Sequence, residues 1–122
     1  MILVYVAGPF SAPTREGVEA NIRRAVDLGV EVAKLGAYPV IPHANTADPR
    51  FEHVQPYQFW IDATMAMLQA CRVLITVPGW EASSGARGEV EWMRANERRV
   101  FHSIPELAEG MALARYLGLG HR

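Results

Sequence analysis

The sequence predicts an α/β fold of three layers, similar to flavodoxin and Rossmann folds, with a parallel sheet of four or five strands. Short apolar runs alternate with amphipathic stretches along the whole chain. The runs are apolar nearly throughout, which is typical of strands covered on both faces. Glycine, proline and polar residues gather between them. This alternation indicates parallel strands joined by right-handed helical crossovers, and we expect strand one to be central.

The first half of the chain supplies two strands and one helix. Residues 2–7 form a continuous apolar run that stops at Gly8 and Pro9. Turn and helix-start residues follow at 11–14, and apolar residues then recur at helical spacing until Gly36, a typical helix stop. A second strand at 38–41 closes at Pro42, and we expect a long loop at 43–56.

The second half repeats the alternation. Pro105 is well placed in the first turn of the last helix. The predicted elements are a helix at 57–69, a strand at 73–77, a loop at 78–84, a helix at 85–96, a strand at 99–102 and a helix at 105–117.

Length and composition limit the classes of protein that fit. A chain of 122 residues predicts one domain over residues 1–122. Lys and Arg number 12 against 13 Asp and Glu, so the basic excess of a nucleic-acid binder is missing. No apolar run approaches the roughly 20 residues of a membrane span, and the apolar start has no basic export signal before it. We therefore expect a cytoplasmic protein that binds neither nucleic acid nor membrane.

Cysteine and histidine give no sign of a metal or disulfide. Cys71 is the single cysteine, which excludes an internal disulfide and a cysteine metal cluster. The four histidines, at 43, 53, 102 and 121, have no ligand spacing. We expect no metal and no cofactor.

Three loops should meet at the carboxyl edge of the sheet, where ligands of such folds bind. In the first loop Gly8 allows backbone to approach a ligand, Ser11 and the following helix start offer donors to an anion, and Arg15 adds charge. The loop has neither a dinucleotide fingerprint nor a P-loop. A tight turn with Thr14 as a helix cap explains the same residues.

The third loop runs through two serines and two glycines into a helix. Glu89 should lie one turn inside this helix, where the helix dipole favours a carboxylate. Gly85 and Gly88 leave space around it, although glycine costs up to ~1 kcal/mol in a helix. From these residues alone, a functional glutamate and a stabilising helix-terminal one fit about equally well.

Further candidates each have a structural alternative. Asp62 sits in an apolar stretch, where a carboxyl tends to have a raised pKa and can donate a proton, but it also fits the outer face of a helix. Tyr5 fits a site at the end of strand one as well as core packing. His43 and Asn45 follow strand two and would face the site or lie in an ordinary loop. Trp80 is a platform for a base or a lid over the core.

These residues together resemble the nucleoside 2-deoxyribosyltransferase superfamily. Tyr5-Val6-Ala7-Gly8-Pro9-Phe10 is similar to its opening, and the segment from Ser83 to Glu89 matches its Ser/Asp-x-Gly-x-x-x-Glu signature. A small phage and bacterial branch also resembles this chain in four further places, and the likeness covers residues 1 to about 102. These places are Pro78-Gly79-Trp80-Glu81, Asn21, Pro42-His43 and Asn45-Thr46.

The resemblance implies an enzyme that breaks N-glycosidic bonds. It makes Glu89 the nucleophile, Asp62 the residue that handles the base and its proton, and Tyr5 the hydroxyl that positions Glu89. Ser83 stands where the 5'-monophosphate hydrolases of the superfamily have serine and the transferases have aspartate. The interval from Asp62 to Glu89 is a few residues longer than in those hydrolases.

We therefore expect hydrolysis of a (2'-deoxy)nucleoside 5'-monophosphate through a glutamyl-glycosyl intermediate. A base-exchanging transferase and a non-catalytic nucleotide-binding module are the alternatives. The partners expected are a nucleotide or nucleoside and further copies of this chain, as a homodimer or larger homo-oligomer. The expected substrate-binding residues are Gly8, Ser11, Arg15, His43, Asn45, Trp80, Ser83 and Gly85.

Overall fold

A computed structural model of the chain describes residues 1–118 and shows the predicted α/β fold. In this described part of the chain, four parallel strands form one sheet in the order β2-β1-β3-β4, so β1 is an inner strand as predicted. Residues 119–122 of the predicted single domain lie outside the described part. The strands are β1 (Leu3–Ala7), β2 (Tyr38–Val40), β3 (Val73–Thr76) and β4 (Arg99–Phe101).

Within residues 1–118, five α-helices connect and follow the strands. Two segments predicted as loops contain short helical turns. The first has an α-helical turn at Pro42–Asn45 and a 3-10 turn at Pro49–Phe51, and the second has a 3-10 turn at Trp80–Ala82. Main-chain hydrogen bonds stabilise these turns, and proline begins the first two. The α-helices are α1 (Arg15–Lys34), α2 (Pro42–Asn45), α3 (Tyr57–Ala70), α4 (Ser84–Ala95) and α5 (Ile104–Tyr116).

Helix ends follow the capping chemistry of the sequence. Thr14 Oγ1 accepts a hydrogen bond from the Gly17 amide at 3.0 Å and so caps α1. Ser83 caps α4 and Ser103 caps α5 in the same way, each at 3.2 Å. These side chains satisfy amides that have no partner inside the helix.

The two faces of the sheet are covered by different helices. Alternate residues of β1 point to opposite faces, so that Val4 and Val6 pack with α1 and α5, and Tyr5 and Ala7 pack with α3 and α4. The result is the predicted three-layer arrangement. No helix among residues 1–118 has both the length and the apolar character needed to cross a membrane.

Gly8 and Gly88 provide a matched test of this packing. A Cβ at Gly8 would lie 2.7 Å from both Cβ and Cγ2 of Val77, and the Cβ of Val77 cannot move without the backbone, whereas a Cβ at Gly88 meets nothing within 4 Å. We expect Gly8→Ala to lower the free energy of unfolding by about 1–3 kcal/mol. Gly88→Ala should raise it by up to about 1 kcal/mol, because alanine favours a helix. Denaturant titration checks both, and equal effects would contradict the packing described for Gly8.

Candidate functional site

Tyr5, the middle residue of β1, and Glu89 of α4 meet on one face of the sheet. The Tyr5 hydroxyl donates a hydrogen bond to Oε2 of Glu89 from a position that is almost wholly buried. Tyr5 comes from β1, and Glu89 comes from the second turn of α4, which packs over β1, β3 and β4. The chain changes direction across the sheet between β1 and β3, and such switch points are where ligands bind in open α/β sheets.

Burial changes the acid–base chemistry of this pair. It raises the pKa of Glu89 to about 7, and the hydrogen bond from Tyr5 opposes part of that rise. Burial also raises the pKa of Tyr5, helped by the negative charge of Glu89, so the tyrosine stays a neutral donor. A half-buried carboxylate that is oriented by one hydroxyl and titrates near neutral pH can act as a nucleophile or as a general base.

The loop after β3 leads directly to this pair. Ser83 is the N-cap of α4, and its Oγ accepts from the Ala86 amide. Gly85 lies in the first turn, where a Cβ would be 3.8 Å from that Oγ, so no close contact within the described chain demands glycine there. Gly88 likewise has open space around it, so neither glycine is required by packing within the described chain.

The loop after β1 lies beside that loop. Gly8 is buried against Val77, which follows β3, so its lack of a side chain serves this contact between the two loops. The Val77 amide donates to the Ala7 carbonyl at 2.8 Å and joins the two segments. Ser11 follows in the exposed part of the loop.

Arg15 does not offer a free charge to the site. Its guanidinium contacts Glu19 at 3.3 Å and Glu52 at 3.9 Å, and it donates to the Ala47 carbonyl at 3.1 Å. The expected role of Arg15 as a cation for an anionic ligand is therefore not supported. Its contacts instead tie the start of α1 to the segment between β2 and α3.

Asp62 is exposed, which corrects the sequence-based expectation of an apolar environment. Its Oδ1 accepts a hydrogen bond from Gln58 Nε2 at 2.8 Å, one turn earlier in α3. Leu68 alone is fully buried in this helix, and Met65 and Met67 pack partly buried against the same core cluster as Leu68. Phe59 and Ile61, apolar residues near Asp62 in sequence, are exposed as well.

His43 and Asn45 also differ from their expected place in a ligand pocket. His43 is 7% exposed, and its Nε2 lies 3.0 Å from the Gly8 carbonyl, which makes it a support of the first loop. Burial lowers the pKa of His43, although the Gly8 and Pro9 carbonyls partly oppose this effect. Asn45 ends α2 in an exposed position, and within residues 1–118 its side chain makes no hydrogen bond.

Trp80 lines a separate cavity of about 340 Å³ beyond β3 and β4, and neither Tyr5 nor Glu89 lines it. The indole stacks on His102 with ring centroids 5.5 Å apart. His102 Nδ1 lies 2.8 Å from the Thr76 hydroxyl, and Arg94 donates to its Nε2 at 3.3 Å. Glu89 and Arg94 are five residues apart in α4 and so lie on opposite flanks of that helix.

Asn21 is a functional candidate that the residue pattern alone did not single out. It is 7% exposed, and its amide nitrogen donates to the Phe10 and Ser11 carbonyls at 3.0 and 3.4 Å. A signal was available, since Asn21 falls one turn before the buried Ala25 on the apolar face of α1. A polar residue on such a face needs hydrogen-bond partners inside the protein.

The described residues contain no ready site for a metal. Over residues 1–118, no group of three or more His, Cys, Asp and Glu side chains is placed to hold an ion. Cys71 is buried, and burial raises the pKa of its thiol to about 11, which makes it unreactive at neutral pH.

Comparison with known proteins places the chain in a family. Residues 2–104 match the model described as "Domain of unknown function (DUF1937)", which covers β1 to β4 and the loops of the site. The chain therefore belongs to this family. A search of curated proteins finds no significant match.

Proposed function

We propose that this member of the DUF1937 family hydrolyses the N-glycosidic bond of a 2'-deoxynucleoside 5'-monophosphate. The observation that carries the proposal is the Tyr5–Glu89 pair, a buried tyrosine that orients a carboxylate at the switch point of the sheet. The resemblance of two sequence motifs to the nucleoside 2-deoxyribosyltransferase superfamily supports the same reaction.

The reaction follows the double displacement of a retaining glycosidase. A Glu89 carboxylate oxygen forms a bond to C1' as the bond from C1' to the base nitrogen breaks, and the departing base takes up a proton. Water then attacks C1', the glycosyl ester breaks, and deoxyribose 5-phosphate leaves with Glu89 restored. Asp62 stands at the exposed surface of α3, so it would deliver that first proton only from the solvent side.

The phosphate fits the start of α4. Ser83 carries a hydroxyl there, and the amides of Ser84 and Gly85 donate to no acceptor within the described residues. The positive end of the helix dipole adds to these donors. Serine at position 83 favours a phosphorylated substrate over the free nucleoside of a transferase, since an aspartate there would repel the phosphate.

The direct test incubates the purified chain with a panel of ribo- and deoxyribonucleoside 5'-monophosphates and the matching nucleosides. Chromatography should detect free base and deoxyribose 5-phosphate from a deoxynucleoside monophosphate. Base exchange between nucleosides would indicate the transferase instead. Thermal stabilisation by nucleotides without product would indicate a binding module.

Replacement of Tyr5 should change the pH dependence of this reaction. Glu89 must be ionised to attack, so kcat/KM should rise with pH through about 7. Tyr5→Phe removes the hydrogen bond that lowers the pKa of Glu89, so the rise of kcat/KM should move to higher pH. At pH values below the new rise, kcat/KM should be about tenfold or more lower than in the parent. Tyr38→Phe on the exposed part of β2 is the matched control. An unchanged profile in Tyr5→Phe would show that Glu89 does not set the rate.

We also propose that a second copy of the chain covers α3. Phe51 and Phe59 each lie edge-on to Trp60, with centroids 6.2 and 5.0 Å apart, and form a continuous aromatic patch. The two phenylalanines are 43% and 47% exposed, and Tyr57 and Ile61 extend the patch. Exposed apolar patches of this kind mark interaction surfaces, and a two-fold dimer is the commonest way to bury one.

Light scattering at micromolar concentration should therefore give the mass of a dimer. Phe59→Glu should shift the chain to a monomer, because it places a charge inside the patch. Val30→Glu is the control, since Val30 is 49% exposed on α1 in the opposite layer. A monomeric parent would refute the dimer and leave the glycosidase proposal standing.

A further inference from the structure

Two buried side chains hold the loop between β1 and α1 by its carbonyl groups. Asn21 Nδ2 donates to the carbonyls of Phe10 and Ser11, and His43 Nε2 lies 3.0 Å from the carbonyl of Gly8. Both side chains are 7% exposed, although they come from different elements, α1 and α2. Three carbonyls of one short loop are thus turned toward the protein interior.

The orientation of both side chains is determined by their other contacts. Arg24 donates to Oδ1 of Asn21, so the amide nitrogen must be the atom that faces the loop. A carbonyl only accepts, so Nε2 of His43 carries a proton and donates it to Gly8. Nδ1 of His43 is buried with no partner among the described residues, and burial lowers the pKa of this imidazole, so its ring is neutral at pH 7.

The inward carbonyls of Phe10 and Ser11 determine where two loop amides point. The Gly8 carbonyl, by contrast, shares its peptide group with Pro9, which has no N–H. No peptide bond among the described residues is cis, so each N–H is opposed to the carbonyl of its own peptide group. The Ser11 amide therefore points away from Asn21, because it shares a peptide group with the Phe10 carbonyl. The Ala12 amide does the same relative to the Ser11 carbonyl. Neither amide donates to an acceptor within residues 1–118, and successive free amides of this kind bind anions.

We propose that Asn21 and His43 are positioning residues: Asn21 turns the Ser11 and Ala12 amides outward as donors to the phosphate of the substrate, and His43 holds the start of the same loop in place at Gly8. This positioning proposal rests on the proposed function, which identifies the ligand as a nucleoside monophosphate. It also explains how this loop would bind an anion without Arg15, which is already paired with two carboxylates. The backbone then supplies donors where the nearest side-chain cation does not.

The first experiment uses the unmodified chain. Inorganic phosphate and then a deoxynucleoside monophosphate are titrated into ¹⁵N-labelled protein, and amide resonances are followed. The Ser11 and Ala12 resonances should shift with both probes. If a monophosphate shifts residues around Glu89 but leaves Ser11 and Ala12 unmoved, the positioning proposal is wrong and the proposed function stands. If Ser11 and Ala12 respond but no monophosphate is ever hydrolysed, the positioning proposal stands and the glycosidase is wrong.

Variants then separate positioning from mere structural support. Asn21→Asp keeps the shape but replaces the donor with an acceptor, and His43→Phe keeps an aromatic ring beside Phe10 but has no donor. Each should weaken monophosphate binding about tenfold or more, with a rise in KM that exceeds any fall in kcat. His43→Gln restores an N–H donor and should restore binding. Asn96→Asp, at the far end of α4, controls for the added charge.

The folded variants decide the outcome. Unchanged monophosphate affinity in Asn21→Asp and His43→Phe, with only a lower melting temperature, would overturn the proposal, because that is the behaviour of residues that support the fold alone. Failure of His43→Gln to bind better than His43→Phe would do the same. Should the variants not fold, the amide shifts of the unmodified chain remain the deciding measurement.

Discussion

Glu89→Gln is expected to abolish turnover of a deoxynucleoside monophosphate, by at least about a thousandfold, while the chain still binds the nucleotide. Glutamine has the same shape and its carbonyl can still accept from Tyr5, but its amide cannot form the glycosyl ester. Binding should survive because its free energy comes from contacts to the phosphate and the base. Chromatography of the products measures the first effect, and calorimetric titration measures the second.

Glu91→Gln is the matched control for this result. Glu91 is exposed on the same helix, so its replacement removes the same charge without touching the buried pair. An acid quench of the unmodified chain during turnover, followed by mass spectrometry, should also find the sugar phosphate attached to the peptide that carries Glu89. Turnover by Glu89→Gln within tenfold of the parent would mean that another group is the nucleophile.

Ser83→Asp should have the second large effect, on the choice between monophosphate and nucleoside. A charge about 4 Å from the phosphate costs roughly 4 kcal/mol at an effective dielectric constant of 20, so monophosphate affinity should fall by about a hundredfold or more. Nucleoside binding should change little. The substitution suits the fold, because aspartate caps a helix as well as serine does, and Ser83 caps α4.

Ser103→Asp makes the same change at the N-cap of α5 and controls for general effects of the substitution. Calorimetric titration of both variants with a monophosphate and its nucleoside gives the comparison. Equal monophosphate affinity in Ser83→Asp and the parent would place the phosphate elsewhere, and the case for a hydrolase over a transferase would lose its main support.

The contact between Tyr5 and Glu89 was expected from the resemblance to the nucleoside 2-deoxyribosyltransferase superfamily, since the residue pattern alone left each of the two a structural alternative. The apolar run at 2–7 and the helix after Ser83 have defined ends, and parallel strands bring those ends to one edge. The positions of Asp62 and Trp80 could not be predicted from the sequence. Helix α3 is apolar on several faces, so its sequence does not indicate which face the sheet covers, and Asp62 lies outward.

The amino-acid sequence alone determined the fold class and offered Thr14 as a cap of α1, because both follow from local periodicity and residue chemistry. The link between Tyr5 and Glu89 came from the resemblance of two motifs to a known superfamily. Only the tertiary structure decided which polar side chains face a ligand and which support a loop. His43 turned inward and Arg15 was paired through contacts with residues 35 and 37 positions away. Such long-range contacts depend on how elements pack against one another, and no local pattern of residues encodes that packing.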